Sequence, residues 1–253
     1  MTEPTDGIDA INQWDMVHEL PPALLVDRIA YLCDAVRDRR AVHLGFADAR
    51  CADFHVERGV WLHSTLAGVA SELVGLDIDQ EGVAAACGAG YESYCVDCRD
   101  PEVVAALGLA PADVVVIGEL IEHLDDPGSM LEAVKPLVAA DGVIVVTTPN
   151  GHGLFNVCAA IAGRELNHPD HVALYSWYTL SNLLARHGWR TVDTAVYVPT
   201  LKSTGTGAAQ QMLAVGAQMV LGAERLAARF GRPYLADGLI LTATRADVLR
   251  APR

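Results

Sequence analysis

Apolar and polar positions along the chain follow two periods. Short apolar runs rich in Val, Ile, Leu and Tyr recur at 41–46, 72–78, 91–97, 112–118, 142–148, 190–198 and 235–245, which predicts strands. Between most of them lie segments with helical spacing, at 60–71, 80–88, 101–108, 127–139 and 176–187. Strands alternating with helices imply parallel crossovers, hence a doubly wound α/β fold: a mostly parallel seven-stranded sheet with helices on both faces. End signals agree. Asp126 precedes Pro127 as cap and first helical residue, with Gly142 beyond that helix, and Ser176 and Gly188 bracket the next one. Two segments break the alternation. Residues 1–40 hold "WDMVHELPPALLVDRIAYLCDAV", read as an amphipathic helical lead-in with Trp14, Leu24, Leu25, Ile29 and Leu32 as its apolar stripe. Residues 205–231 read as an Ala-rich helix between the last two strands, where no crossover rule applies and the last strand can run antiparallel. Without repeats or low-complexity linkers, 1–253 reads as one domain: 1–40 an N-terminal helical lid, 41–200 the core, 205–231 an inserted helix and 235–245 the last strand.

Composition narrows the partners. The 253 residues are 51% hydrophobic, enough for a sizeable core. A formal charge of −14 without a basic tract argues against nucleic acid. No apolar run approaches the roughly 18 residues of a membrane span, and the acidic start lacks the basic-then-apolar order of a signal peptide. Cysteines at 33, 51, 87, 95, 98 and 158 show no framework spacing, which fits a reducing cytoplasm. The pair in "CVDC" lacks the second pair a structural zinc site needs, so Cys95 and Cys98 read as half-buried thiols at a strand end. A homodimer is compatible with all of this.

In such a sheet, ligands lie outside the carboxyl ends of the strands. Those ends carry Gly45, then Asp77 and Asp79 in "GLDID", Asp97, Glu119 in "GELIEHLDD", and "TTPNGHG". Asp77 follows "LVGL" directly, and a carboxylate there can accept from both hydroxyls of a ribose; Asp79 reads as a helix cap.

The segments "ELVGLDIDQEGV", "CVDCRD" and "ADVVVIGELIEHLDDPGSMLEAVKPLVAADGVIVVTTPNG" resemble successive motifs of class I S-adenosylmethionine-dependent methyltransferases, with their Rossmann-like sheet. The third resembles the small-molecule branch that includes ubiquinone-type O-methyltransferases. The continuation "NHPDHVALYSWYTLSNLLARHGW" is similar to members acting on sugars or glycan-linked products. The resemblance implies S-adenosylmethionine as cofactor and a small-molecule acceptor. Gly45 would admit the methionine moiety, Asp77 hold the ribose, and Ile78 pack on the adenine. Asp97 and the Cys98 backbone would receive the adenine amino group, and Glu119 line the methionine end.

The departures lie in "AVHLGFADAR". His43 stands where the family has an acidic residue for the cofactor's ammonium group, and Ala47 and Ala49 replace glycines; Asp48 is the substitute carboxylate. The interval from Gly45 to Asp77 also exceeds the roughly 20 residues of a compact dinucleotide loop, so "RCADFHVERG" reads as an insertion. For a hydroxyl acceptor a base must take the proton, and histidine suits neutral pH. His123, His168 and His171 are the catalytic candidates, with His152 as a rival and Asp170 within "HPDH". His168, Asp170 and His171 could also hold a divalent ion that lowers the acceptor's pKa, or form a Pro-bent loop whose histidines are structural; no metal is assigned, because hard divalent ions prefer more oxygen ligands than "HPDH" offers. Two other readings stand beside methyl transfer. One is a non-catalytic S-adenosylmethionine-binding protein, which the altered loop favours. The other is a nicotinamide-dependent oxidoreductase, which lacks its G-x-G-x-x-G here.

Overall fold

A computed structural model describes residues 17–47, 61–200 and 208–246. The strands are β1 (Leu24–Val26), β2 (Arg40–Leu44), β3 (Glu72–Asp77), β4 (Glu92–Cys95), β5 (Ala112–Gly118), β6 (Val138–Pro149), β7 (Trp189–Tyr197) and β8 (Gly238–Arg245). The helices are α1 (Arg28–Val36), α2 (Leu62–Ala67), α3 (Gln80–Gly88), α4 (Pro101–Ala106), α5 (Pro127–Ala133), α6 (Leu154–Ile161), α7 (Trp177–Arg186) and α8 (Ala208–Arg229). One sheet runs β1-β7-β8-β6-β5-β2-β3-β4. Only β8 is antiparallel to its neighbours, β6 and β7.

The central strands are apolar throughout because both faces are covered. Along β5, Val115 and Ile117 enter one core with Met130, Leu131, Leu180 and Leu184. Val114 and Val116 enter the other, with Leu32, Val36 and Leu66. That two-residue alternation is the strand's own pleat. Caps act where the sequence places them. Asp79 accepts from Glu81 N, Asp126 from Ser129 N, and Ser176 forms a capping box with Thr179.

Three expectations need correction. The lead-in is not one helix: Leu24–Val26 forms an eighth strand, pairing in parallel with Ala195–Tyr197, and helix begins only at Arg28. Pro21 and Pro22 disfavour helix before it, and Asp27 accepts from Ala30 N as the cap. Trp14 and residues 1–16 lie outside the described residues. The helix expected over 127–139 stops at Ala133, and a one-turn 3-10 helix at Lys135–Leu137 leads into β6. Pro136 has no N–H to continue the α-helical ladder. The stretch 149–175, to which neither period assigns an element, contains α6, whose N-terminus has no side-chain cap to announce it. Among the described residues, no helix is long and apolar enough to cross a membrane.

Gly238 shows how the β7–β8 pair serves the sheet's edge. It lies opposite Tyr197, and a Cβ built on it would fall 2.1 Å from Tyr197 Cζ. The ring occupies the space a side chain would take. Gly238→Ala is therefore expected to destabilise the protein by about 2 kcal/mol through overpacking, measured by urea unfolding. A midpoint equal to wild type would mean that the ring moves aside freely.

Candidate active site

The strand order reverses between the parallel neighbours β2 and β5, so the crevice of a doubly wound fold opens beyond Leu44 and Gly118. Gly45 adopts φ +64, and a Cβ there would meet Leu120 Cδ1 at 2.9 Å. Both the conformation and the close approach call for glycine. Ala47, where the family has glycine, is buried. Its methyl fits because position 82 is glycine: a Cβ at Gly82 would lie 2.6 Å from Ala47 Cβ. Glycine at 82 leaves the room that the Ala47 methyl takes. Asp48, Ala49 and the inserted loop, including His55, lie outside the described residues.

Asp77 ends β3 half-buried. Its two oxygens accept from Ala47 N (2.8 Å) and Asp79 N (2.9 Å), which ties the β2 and β3 turns together. Each carboxylate oxygen keeps a lone pair for a further donor. Ile78 beside it is 66% exposed, an apolar surface left open at the sheet's mouth. Asp97 is bound by Arg99, whose Nε and Nη2 donate at 3.0 and 2.8 Å and whose backbone N donates at 2.9 Å. Arg99 holds its carboxyl below the usual range. Cys98 is half-buried, and burial pushes its thiol up to about 12; Cys95 is exposed at the end of β4, and both are free. His43 does not act as a charged substitute for the family's acid. It is buried, with Nδ1 3.3 Å from His63 Nδ1, and burial together with His63 and Arg28 keeps it neutral.

Beyond β5 the chain turns through Glu119 at φ +53, a left-handed conformation that costs a non-glycine residue about 1–2 kcal/mol. Such strain persists only where the surroundings enforce it. Here Thr147 Oγ1 (2.9 Å) and Tyr197 OH (2.7 Å) both donate to Glu119 Oε1. Arg28 Nε lies 3.7 Å from the same oxygen and donates to Thr147 Oγ1 at 3.1 Å. Arg28, Thr147 and Tyr197 were not among the sequence candidates. They come from α1, β6 and β7, and no local pattern links them.

The next turn, Ile121–His123, places Glu122 inward and His123 toward solvent. Glu122 is fully buried; Oε2 accepts from Thr148 Oγ1 at 2.9 Å, and among the described residues Oε1 has no hydrogen-bond partner. Burial, then the charge of Glu119, raises its carboxyl to about 8. Its carbonyl accepts from Val172 N and Ala173 N, which draws the "HPDH" loop onto this turn. As a result His123, His168 and His171, which the sequence separates by up to 48 positions, each present a nitrogen within 4.8 Å of the others. His123 Nδ1 donates to Asp170 O at 3.2 Å, and its ring centroid is 4.5 Å from that of His171. His171 Nδ1 donates to Asn167 Oδ1 at 2.8 Å, and Nε2 lies 4.0 Å from Glu122 Oε1. Burial and the two neighbouring imidazoles lower the His171 pKa. His152 stands apart from the cluster, with its backbone N on Asn150 Oδ1. Asn150 in turn donates to the Tyr234 and Ala236 carbonyls, so the "TPN" end fastens β6 to the segment before β8.

A glycine cradle at the switch point, a carboxylate ending β3, an exposed apolar residue beside it and an eight-stranded sheet with one antiparallel strand define a class. It is that of the class I S-adenosylmethionine-dependent methyltransferases, and S-adenosylmethionine is the cofactor. The chain belongs to the methyltransferase domain family, whose profile matches residues 24–194. It is 29% identical over 140 residues to the ubiquinone biosynthesis O-methyltransferase of Burkholderia cenocepacia, covering 51% of this chain and 60% of that protein. The enzyme of the same name from Psychrobacter cryohalolentis is 27% identical over 117 residues, covering 44% and 45%. The matches thus span 60% or less of these relatives' length. A SAM-dependent methyltransferase from Archaeoglobus fulgidus superposes with TM-score 0.52 at 16% identity, over 85% of this chain and 90% of that one, a likeness of fold alone.

Proposed function

We propose that the protein transfers the sulfonium methyl group of S-adenosylmethionine to a hydroxyl oxygen of a small-molecule acceptor. The observation that carries this reading is the convergence of His123, His168 and His171 just beyond the end of β5, beside Glu119. The O-methylation for which the relatives are named favours a phenolic hydroxyl; a sugar hydroxyl is the second choice. The acidic balance, −14 overall, suits neither a nucleic acid nor an anionic surface as acceptor.

The bound cofactor supplies an activated methyl group, so the protein's work is alignment and proton removal. Asp77 receives the ribose hydroxyls and Ile78 covers one adenine face. Asp97 and the Cys98 backbone border the adenine edge, which requires Arg99 to share its carboxylate partner. Gly45 lets the backbone approach the methionine moiety, and Glu119 faces its ammonium end. On the acceptor side, His171 Nδ1–H is committed to Asn167, which leaves Nε2 with a lone pair. Its lowered pKa keeps that nitrogen free to accept a proton near neutrality. His123, with Nδ1–H on the Asp170 carbonyl, offers the same form. The lid consists of the N-terminal segment, the 149–175 stretch and α8. His18 stacks on Tyr178 at 3.8 Å, Tyr234 OH donates to Pro21 O, and Glu224 of α8 accepts from Phe155 N and Asp237 N. We place the protein in the cytoplasm, consistent with its free cysteines.

Calorimetric titration with S-adenosylmethionine, S-adenosylhomocysteine and NAD, followed by turnover on phenol and sugar acceptors, tests this function. Binding of the first two with no turnover on any acceptor would favour a non-catalytic binder. Within it, Asp77→Ala is expected to weaken S-adenosylhomocysteine binding by about 1.5–3 kcal/mol, or about 10- to 150-fold, through loss of the ribose bonds. An unchanged dissociation constant in the folded variant removes Asp77 from the site.

A further inference from the structure

We propose that His123, His168 and His171 form a binding site for a divalent transition-metal ion of borderline softness, of the Zn²⁺ or Co²⁺ kind. Three imidazole nitrogens within 4.8 Å are the first observation. The second is how two of the rings are held. His123 Nδ1 faces the Asp170 carbonyl and His171 Nδ1 faces Asn167 Oδ1, and both partners only accept. Each Nδ1 therefore carries the hydrogen and each Nε2 keeps its lone pair. A metal-binding histidine is ordinarily fixed in that way, by giving its other N–H to a carbonyl or carboxylate.

The third observation comes from beneath the cluster. Glu122 Oε1 is buried with no hydrogen-bond partner among the described residues, 4.0 Å from His171 Nε2. A buried polar oxygen with no partner is costly, and an ion on the Nε2 side of His171 would displace the carboxyl's proton and give the carboxylate an oppositely charged neighbour. The donor set selects the ion. Nitrogen ligands suit zinc, cobalt, nickel or copper and not magnesium or calcium, so the oxygen-counting argument against a hard ion does not reach this case.

Bond lengths of about 2.0–2.1 Å in a tetrahedral site put neighbouring nitrogens about 3.3 Å apart. The cluster must then close by about 1.5 Å, and His168, the exposed member, has the freedom to do so. His168 Nδ1 accepts from Asp170 N at 3.3 Å. Metal binding through Nε2 moves that ring's proton to Nδ1, where Asp170 Oδ2 lies 3.8 Å away. An ion held there occupies the lone pairs that would otherwise accept a proton, so it would replace the imidazoles as the group that activates an acceptor hydroxyl, a use that rests on the methyl-transfer reading. Ion binding itself does not.

The test is Co²⁺ titration of chelator-stripped, untagged protein, followed by visible absorption, with Zn²⁺ equilibrium dialysis in parallel. The expected result is one ion per chain with the intense visible bands of a low-coordinate cobalt site. Asn167→Ala, which leaves every ligand in place, is expected to weaken uptake by about 10- to 100-fold, and His171→Ala by more. His168→Ala, at an exposed position, reports on the site without threatening the fold. No saturable uptake at millimolar Co²⁺, or uptake unchanged in His168→Ala and His171→Ala, overturns the proposal. Turnover in a protein that takes up no ion overturns this site while leaving methyl transfer standing. One-ion uptake without turnover supports the site and counts against the methyl-transfer reading.

Discussion

His123→Ala is expected to lower kcat by about 10²–10⁴-fold while leaving S-adenosylhomocysteine affinity within about threefold of wild type. The asymmetry follows from where the residue is anchored. His123 Nδ1 rests on the Asp170 carbonyl of the "HPDH" loop, and its ring contacts are His168 and His171. Glu119 is oriented by Thr147 and Tyr197, and Glu122 by Thr148. Removing the imidazole therefore leaves the cofactor side of the crevice tied as before. The loss should appear in kcat and in kcat/KM alike, since a group that handles the acceptor's proton acts on the transition state. Single-turnover rates beside calorimetric affinities separate the cases. A parallel fall in affinity would make His123 a support for the cofactor side. A variant within about threefold on both measures would move the proton acceptor to His171. Activity alone does not distinguish a base from an ion's ligand at this position; the cobalt titration does.

The chain's own pattern disclosed most of the scaffold because its strong signals are local. Runs such as "ADVVVIG" are apolar at every position because both sheet faces are covered, and caps such as Asp126-Pro127 act within one turn. What it concealed depends on partners far along the chain. Leu24–Val26 is three residues long and mostly exposed, so periodicity alone cannot tell it from the first turn of a helix. It becomes a strand because β7 presents a free edge to it. The fit of Ala47 against Gly82 couples a turn to a helix 35 positions later, so a missing glycine reads as a defect until the two are seen in contact. The candidate site divides in the same way. Asp77 and the histidines were visible as residue types at strand ends. The Arg28–Thr147–Glu119–Tyr197 network joins four elements with no spacing rule between them. Position 43 is a different case. The sequence marks it only as a departure from a family's acid, and in the structure its side chain turns into the layer occupied by His63 and works there as a neutral packing group.

Glu122→Gln is expected to stabilise the protein increasingly as pH rises, because Glu122 is held where its charge is least welcome. The carboxyl is fully buried, receives one side-chain hydrogen bond and lies near Glu119, so it holds its proton up to about pH 8. In the unfolded chain it ionises near 4.5. Between those values the native state binds more protons than the unfolded state, so stability falls as pH rises through the window and levels off on either side. At about 1.4 kcal/mol per pKa unit, the full cost above pH 8 is on the order of 3–5 kcal/mol. Glutamine keeps an oxygen for Thr148 and turns an amide toward His171 Nε2, which is an acceptor while Nδ1–H is held by Asn167. It cannot ionise, so its unfolding free energy should lack this slope. Urea denaturation in chelator-treated buffer should show the gap between variant and wild type widening by about 2–3 kcal/mol from pH 6 to pH 8.5. All other titrating groups are common to both chains and cancel in the difference. Parallel curves would mean that Glu122 ionises at its ordinary pKa. A widening gap would show that the fold sustains a strained carboxyl beside its histidine cluster at a cost in stability, as sites arranged for chemistry do.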